Sequence, residues 1–149
     1  MSKLIISNEV LLPEVAGMLA EGLIVTLPVT GNSMLPFIVG GKDSVVLQKQ
    51  AVPLQKGEIV LARTDAGNYV IHRILACNEH CITLMGDGNL CGTETCLPEN
   101  VLGIVIKIIK GKRYIDCRLP SARRKAELWY KLLPVRRYLL AVYRRVILR

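Results

Sequence analysis

Between Leu23 and Arg118, short stretches of alternating or unbroken apolar residues are separated by residues that favour turns. The stretches are Leu23–Val29, Ser44–Gln48, Glu58–Arg63, Tyr69–Cys77, Cys81–Met85, Val101–Ile109 and Arg113–Arg118. Runs of this length, rich in Val and Ile and bounded by Gly, Pro, Asn and Asp, predict strands. Asp65-Ala66-Gly67-Asn68 and Lys110-Gly111-Lys112 each join neighbouring runs, so antiparallel hairpins are expected at both places. Ahead of the strands the period changes. Val10, Leu11, Val15, Met18 and Leu19 recur at helical intervals, with Ser7 available as a cap and Gly22 as a stop, which predicts a helix over residues 8–21.

Beyond Pro120 the pattern is helical again. Pro134 interrupts it and predicts two short helices or one bent one. Leu132, Leu133, Leu139, Leu140, Val142, Val146 and Ile147 gather toward one side, and Arg136, Arg137, Arg144 and Arg145 toward the other. Trp129, Tyr130, Tyr138 and Tyr143 fall near the boundary. Two placements satisfy this amphipathicity: a helix lying on an anionic membrane surface, or a helix packing its apolar side on the β body. The fold expected is mainly β: a compact antiparallel coiled sheet or barrel, with a short N-terminal helix and a basic amphipathic C-terminal helix. Residues 1–119 form the body, with strands over 23–118, and residues 120–149 form the tail.

The chain has 149 residues, enough for one domain with a sizeable core. Aromatic residues are only 5 %, so Val, Ile and Leu must build that core. The net charge of +8 is unevenly spread. Residues 1–112 hold 9 Lys/Arg against 10 Asp/Glu, a net −1, whereas residues 113–149 hold 11 against 2, a net +9. A nearly neutral body with a basic appendage suggests contact with phospholipid headgroups or nucleic acid; the charge excess favours the membrane, and no recognised nucleic-acid module is present. No apolar run reaches the length of a membrane span, and the first residues lack the pattern of a secretory signal, so a cytoplasmic or peripheral membrane location is expected. Cys77, Cys81, Cys91, Cys96 and Cys117 are an odd number without a C-x-x-C pair, which fits reduced thiols. Cys77, His80, Cys81, Cys91 and Cys96 match no standard tetrahedral spacing, so neither a metal nor a cofactor is expected.

Three places carry chemistry. Ser33 sits in Thr30-Gly31-Asn32-Ser33-Met34-Leu35-Pro36, a turn leaving an apolar strand, where a hydroxyl can face outward beside a free backbone N–H. His72 lies on a strand, on the same face as Val70 and Ile74, and a neutral imidazole is a suitable base for a serine near neutral pH. Asp87, in Met85-Gly86-Asp87-Gly88-Asn89, is either part of an ordinary turn or a carboxylate that orients the imidazole.

Taken in order, Ser33-Met34-x-Pro36, Gly57-Glu58-Ile59-Val60, His72-Arg73-Ile74, Gly86-Asp87 and Val101-Leu102-Gly103 resemble the boxes of the type I signal peptidase and LexA-type serine peptidase clan, over roughly residues 23–110. The resemblance implies a serine endopeptidase with Ser33 as nucleophile, His72 as general base and Asp87 as the accompanying acid. His72 matches the position that is lysine in the common bacterial enzymes and histidine in those of the endoplasmic-reticulum and archaeal type. Where the clan often has a serine two positions before the nucleophile, this chain has Gly31, leaving backbone N–H groups and Asn32 for the oxyanion. Gly88 separates Asp87 from Asn89, unlike the usual Gly-Asp-Asn, and the only other nearby acid is Glu94. Met34, Leu35 and Phe37 are candidates to line a substrate groove, with Pro36 closing the box.

The implied substrate is a polypeptide, such as a precursor with a signal or leader peptide, processed at the membrane surface. Two alternatives compete. One is self-processing at Ala16-Gly17, which needs an intramolecular attack from 16 positions away on a dipeptide inside the expected helix. The other is an inactive peptidase scaffold whose tail binds nucleic acid or membrane.

Overall fold

A computed structural model describes residues 8–50 and 53–146 of the chain, with side chains from Leu12 onward. It opens with helix α1 (Asn8–Ala20), followed by strands β1 (Val25–Pro28), β2 (Ser44–Gln48), β3 (Ile59–Arg63), β4 (Tyr69–Cys77), β5 (Ile82–Met85), β6 (Glu94–Cys96), β7 (Val101–Lys110) and β8 (Arg113–Asp116). Helices α2 (Pro120–Lys131) and α3 (Arg136–Val146) close it, with a tight turn over Leu133–Val135 between them. Pro134 lies inside that turn, where the chain must break because proline has no N–H to donate and its ring clashes with the preceding turn.

Helix α1 ends where a left-handed residue is required. Gly22 has φ +86°, its N–H bonds the Leu19 carbonyl and Leu23 N–H reaches back to Met18, so the last carbonyls are satisfied. Leu12, Val15 and Leu19 are buried, whereas Met18 faces outward. Ser7, and the side chains of Val10 and Leu11, lie outside the described residues.

Seven strands form one antiparallel sheet in the order β1-β2-β7-β3-β4-β5-β6, and β8 adds to β7 as a hairpin through Gly111. The 65–68 turn joins β3 to β4. The sheet is coiled but open, since its ends β1 and β6 do not pair with each other. β6 is the strand absent from the sequence reading, a three-residue edge segment too short to show a period.

Both faces of the sheet are covered, and β3 shows why. Ile59 and Leu61 point into one core with α1, β1, Met34 and Ile38, while Val60 and Ala62 point into a second core with Ile74, Ile82, Leu84 and Cys96. Successive side chains on a strand face opposite ways, so a strand buried on both sides reads as an unbroken apolar run. A third cluster joins Leu35, immediately after Met34, to Trp129 of α2 and Leu140 of α3. The C-terminal helices therefore pack on the body, and Arg136, expected among the solvated arginines, is only 3 % exposed.

Leu61, central in β3 and fully buried, offers a direct check of this layering. Leu61→Ala is expected to destabilise the protein by about 2–5 kcal/mol through lost burial and a residual cavity, read as a lower urea midpoint at unchanged slope.

Candidate active site

β1 ends at Pro28 and the chain loops out until β2 begins at Ser44. The loop is closed at its neck by Val29 N–H to the Asp43 carbonyl, 3.0 Å, and Gly41 N–H to the Val29 carbonyl, 2.8 Å. Asp43 is buried, accepts from Val39 N–H at 2.8 Å and pairs with Lys110 of β7. Within this braced loop, Leu35 N–H bonds the Asn32 carbonyl and both Phe37 and Ile38 bond Met34, making a tight turn with Ser33 exposed on it. None of the turn's backbone hydrogen bonds is donated by Ser33.

Met34 and Leu35 are buried in the first and third clusters, which corrects the expectation that they line an open groove. The reason is their place in the turn: they plug its underside while Ser33 and Asn32 remain exposed above. Pro36, joined to Leu35 through a cis peptide bond, and Phe37 are half-buried.

β4 brings His72 to this turn. His72 Nε2 stands 3.2 Å from Ser33 Oγ, although 39 positions separate them in sequence. His72 is paired with Val60 in the β3–β4 register and is 5 % exposed, so it sits at the edge of the second core with its tip on the serine. Its other nitrogen, Nδ1, lies 3.2 Å from Glu94 Oε1. That approach is off the N–H axis, and Nδ1 has no aligned hydrogen-bond partner, so the contact is coulombic. With the proton on Nδ1, beside the carboxylate, Nε2 is free to accept from the serine hydroxyl.

Register explains which acid reaches the ring. Directly opposed residues share a sheet face; Ile74 opposes Leu84, and Leu84 opposes Glu94, so Glu94 projects on the His72 face, one diagonal away. Asp87 goes the other way. It follows Met85, which opposes Arg73, and its carboxylate is gripped by that guanidinium: Arg73 Nε to Oδ1 at 2.9 Å and Nη2 to Oδ2 at 2.8 Å. Arg73 Nη1 also donates to the Gly57 carbonyl at 2.7 Å. The structure thus brings Ser33, His72 and Glu94 together in one row and holds Asp87 behind them in a buried ion pair. In the sequence Glu94 stands out only as a nearby acid, because a three-residue strand such as β6 carries no period of its own.

The electrostatics follow from this arrangement. Burial pushes the His72 imidazole below its ordinary pKa of 6.5, opposed first by the Glu94 carboxylate and then by Asp87. The ring is therefore neutral near pH 7. The Cys96 and Cys117 thiols are pushed up to about 11, chiefly by burial, which leaves them protonated and unreactive. Among the described residues, no three His, Cys, Asp or Glu side chains gather to hold a metal ion.

Behind Ser33, the 86–89 loop packs on the turn without room for side chains. Gly88 N–H donates to the Ser33 carbonyl at 2.8 Å. A Cβ on Gly86 would overlap the Ser33 carbonyl, and one on Gly88 would come within 2.6 Å of the Asn32 carbonyl. The C-terminal helices hold this loop from outside. Trp129 Nε1 donates to the Asp87 carbonyl at 2.8 Å, and Arg136 donates to the Asn89 and Trp129 carbonyls at 3.2 and 3.1 Å. Arg73 stacks on Phe37, Phe37 meets Trp129 edge-on, and Arg136 covers the Trp129 ring, so rings and cations alternate from β4 to α3. A groove of about 530 Å³ opens between α2 and the sheet on the Arg73 side, and neither Ser33 nor His72 lines it.

The two carboxylates should separate experimentally. By NMR titration of the His72 ring, Glu94→Gln is expected to lower its pKa further than Asp87→Asn does. In unfolding experiments the order reverses, because Asp87→Asn leaves the buried Arg73 uncompensated, at about 3–5 kcal/mol. Because the folded-state pKa of His72 lies below the unfolded value, the unfolded chain takes up the proton first. Stability should therefore fall as pH drops from 6.5 toward the folded pKa and then level off, and His72→Gln should abolish that component.

No curated protein matches the chain. A family model described as Peptidase S24-like matches residues 7–107, a span that takes in the Ser33 turn, β4 with His72, and β6 with Glu94. This match covers more than half of the sequence, and the chain belongs to the Peptidase S24-like family.

Proposed function

We propose that the protein is a serine endopeptidase acting through an acyl-enzyme, with Ser33 as nucleophile, His72 as general base and Glu94 as the acid that steadies the imidazolium. The observation that carries this reading is the 3.2 Å contact between Ser33 Oγ and His72 Nε2, with an exposed hydroxyl and a buried, neutral ring. The Ser33 proton passes to Nε2 as Oγ attacks the peptide carbonyl; His72 returns that proton to the leaving amine. Water, activated by the same nitrogen, then hydrolyses the ester and frees Ser33. The Ser33 N–H, unused within its turn, is the natural donor to the oxyanion, in line with the absence of a side-chain hydroxyl at Gly31.

Asp87 is given a different part from the one its motif suggested. Paired to Arg73, it is largely neutralised as a charge and fixes the loop under the nucleophile. Glu94 is left as the main counter-ion of the ring, available as positive charge develops on it.

The finer reading is that the substrates are precursors with signal or leader peptides presented at a membrane surface. Among the described residues no helix is long and apolar enough to cross a membrane. Self-processing at Ala16-Gly17 is disfavoured by the position of that dipeptide inside α1, which is anchored by Val15 and Leu19.

The test is intact-mass analysis of the purified protein incubated with precursor polypeptides. Cleavage after small residues is expected for the wild type and is lost in Ser33→Ala and His72→Ala; Glu94→Gln should retain activity reduced on the order of tenfold to a thousandfold. The rate should rise with pH through a pKa below 6.5 and then level off, because the neutral ring is the base. Identical behaviour of wild type and Ser33→Ala would overturn the assignment.

A further inference from the structure

The inner side of α3 is explained by the contacts of Arg136 and Leu140, but its outer side is not. At about 100° per residue along a helix, Tyr138, Leu139, Val142 and Val146 fall within one arc about 100° wide. Arg137, Arg144 and Arg145 fill the next arc, and Arg136, Leu140 and Tyr143 the arc turned to the body. The apolar arc is in water: Tyr138, Val142 and Val146 are 66, 61 and 69 % exposed. The three arginines beside it are exposed as well. From Leu128 to the C-terminus the sequence has six Lys/Arg and no acid. A helix kept soluble by its own ion pairs would show carboxylates among its arginines, and this one has none.

We propose that the outer face of α3 docks on anionic lipid, lying in the headgroup region rather than crossing it. A bilayer surface is the partner that offers hydrocarbon and phosphate side by side, within the ~5–10 Å depth that an interfacial helix occupies. There the valines and Leu139 enter the acyl boundary, the Tyr138 ring sits at headgroup level, and the arginines meet lipid phosphate. Nucleic acid would satisfy the arginines but leave the apolar arc facing water or phosphate. The opposite side of the helix matters too. Leu140 packs on Leu35, two residues from Ser33, and Arg136 holds the 86–89 loop, so the nucleophile turn lies about one helix diameter, ~10 Å, from the docked face. The proposal concerns binding and is read without turnover, so it and the peptidase assignment can fail separately.

The experiment is flotation of the full chain with vesicles of phosphatidylcholine, alone or mixed with phosphatidylglycerol. Partitioning is expected at least tenfold stronger on the anionic vesicles and is expected to fall in high salt. Arg137→Gln/Arg144→Gln/Arg145→Gln should weaken it on the order of a hundredfold, at about fivefold for each charge removed near the surface. Val142→Ser/Val146→Ser, which keeps the charge, should weaken it on the order of tenfold. All five side chains are exposed, so unfolding midpoints should be unchanged, and this is checked for each variant. Equal flotation with both vesicle types, or insensitivity to both variants, overturns the proposal. Tight binding of a single-stranded oligonucleotide that displaces the vesicles would reassign the face to nucleic acid. A dimer in solution that Val142→Ser/Val146→Ser converts to monomer would reassign it to a second copy of the chain.

Discussion

The arrangement of the site depends on one backbone contact: the 86–89 loop lies against the Ser33 turn so closely that neither Gly86 nor Gly88 can carry a Cβ. The hydrogen bond from Gly88 to the Ser33 carbonyl fixes the height of Ser33 relative to the sheet. Since that loop leaves β5 beside β4, it also ties Ser33 to the strand that carries His72. Side chains from three directions hold the same four residues: Met34 Sδ from beneath, accepting from Asp87 N–H, Arg73 from β4 and Trp129 with Arg136 from the C-terminal helices. Removing the glycines would separate the turn from its support; removing the support would free the glycines to move.

β4 divides the chemistry between its two faces. His72 and Arg73 are neighbours in sequence and must point oppositely, so each recruits its own carboxylate from the following hairpin. If both acids faced the ring, their summed field would favour the imidazolium and remove the base at neutral pH. Pairing Asp87 with Arg73 cancels most of one charge, and burial of His72 outweighs what remains. The result is a ring that is neutral at rest yet has a carboxylate 3.2 Å away when it becomes charged.

Much of this was legible in the sequence, for physical reasons that can be named. β2 and β4 are legible to the residue, because turn-forming residues bracket a strong apolar pattern, and the ordered boxes single out Ser33 and His72, which the fold places 3.2 Å apart. The partner of the imidazole was not legible. Glu94 lies on a three-residue strand whose position depends wholly on pairing with β5, a tertiary fact with no local period. Asp87 carried the motif, but it lies two residues beyond Met85, which is in register with Arg73, and its carboxylate pairs with that guanidinium. The burial of Met34 and Leu35 was hidden similarly, since a turn that exposes a serine must plug its own underside with something.

The C-terminal segment shows how one amphipathic pattern can serve two surfaces. Sequence periodicity offered a choice between packing on the body and facing a partner, as if the helix had a single apolar side. In the fold, α3 has three sectors. Leu140 and the aliphatic stem of Arg136 fill the inner one, and the guanidinium of that buried arginine takes up carbonyls of the 86–89 loop and of α2. Arginine suits this place because its stem packs like an aliphatic residue while its planar head can bond several acceptors and cover a ring. One residue among four similar arginines thus belongs to the interior, and the remaining three, with the apolar arc beside them, stay outside on a helix already fastened to the Ser33 turn.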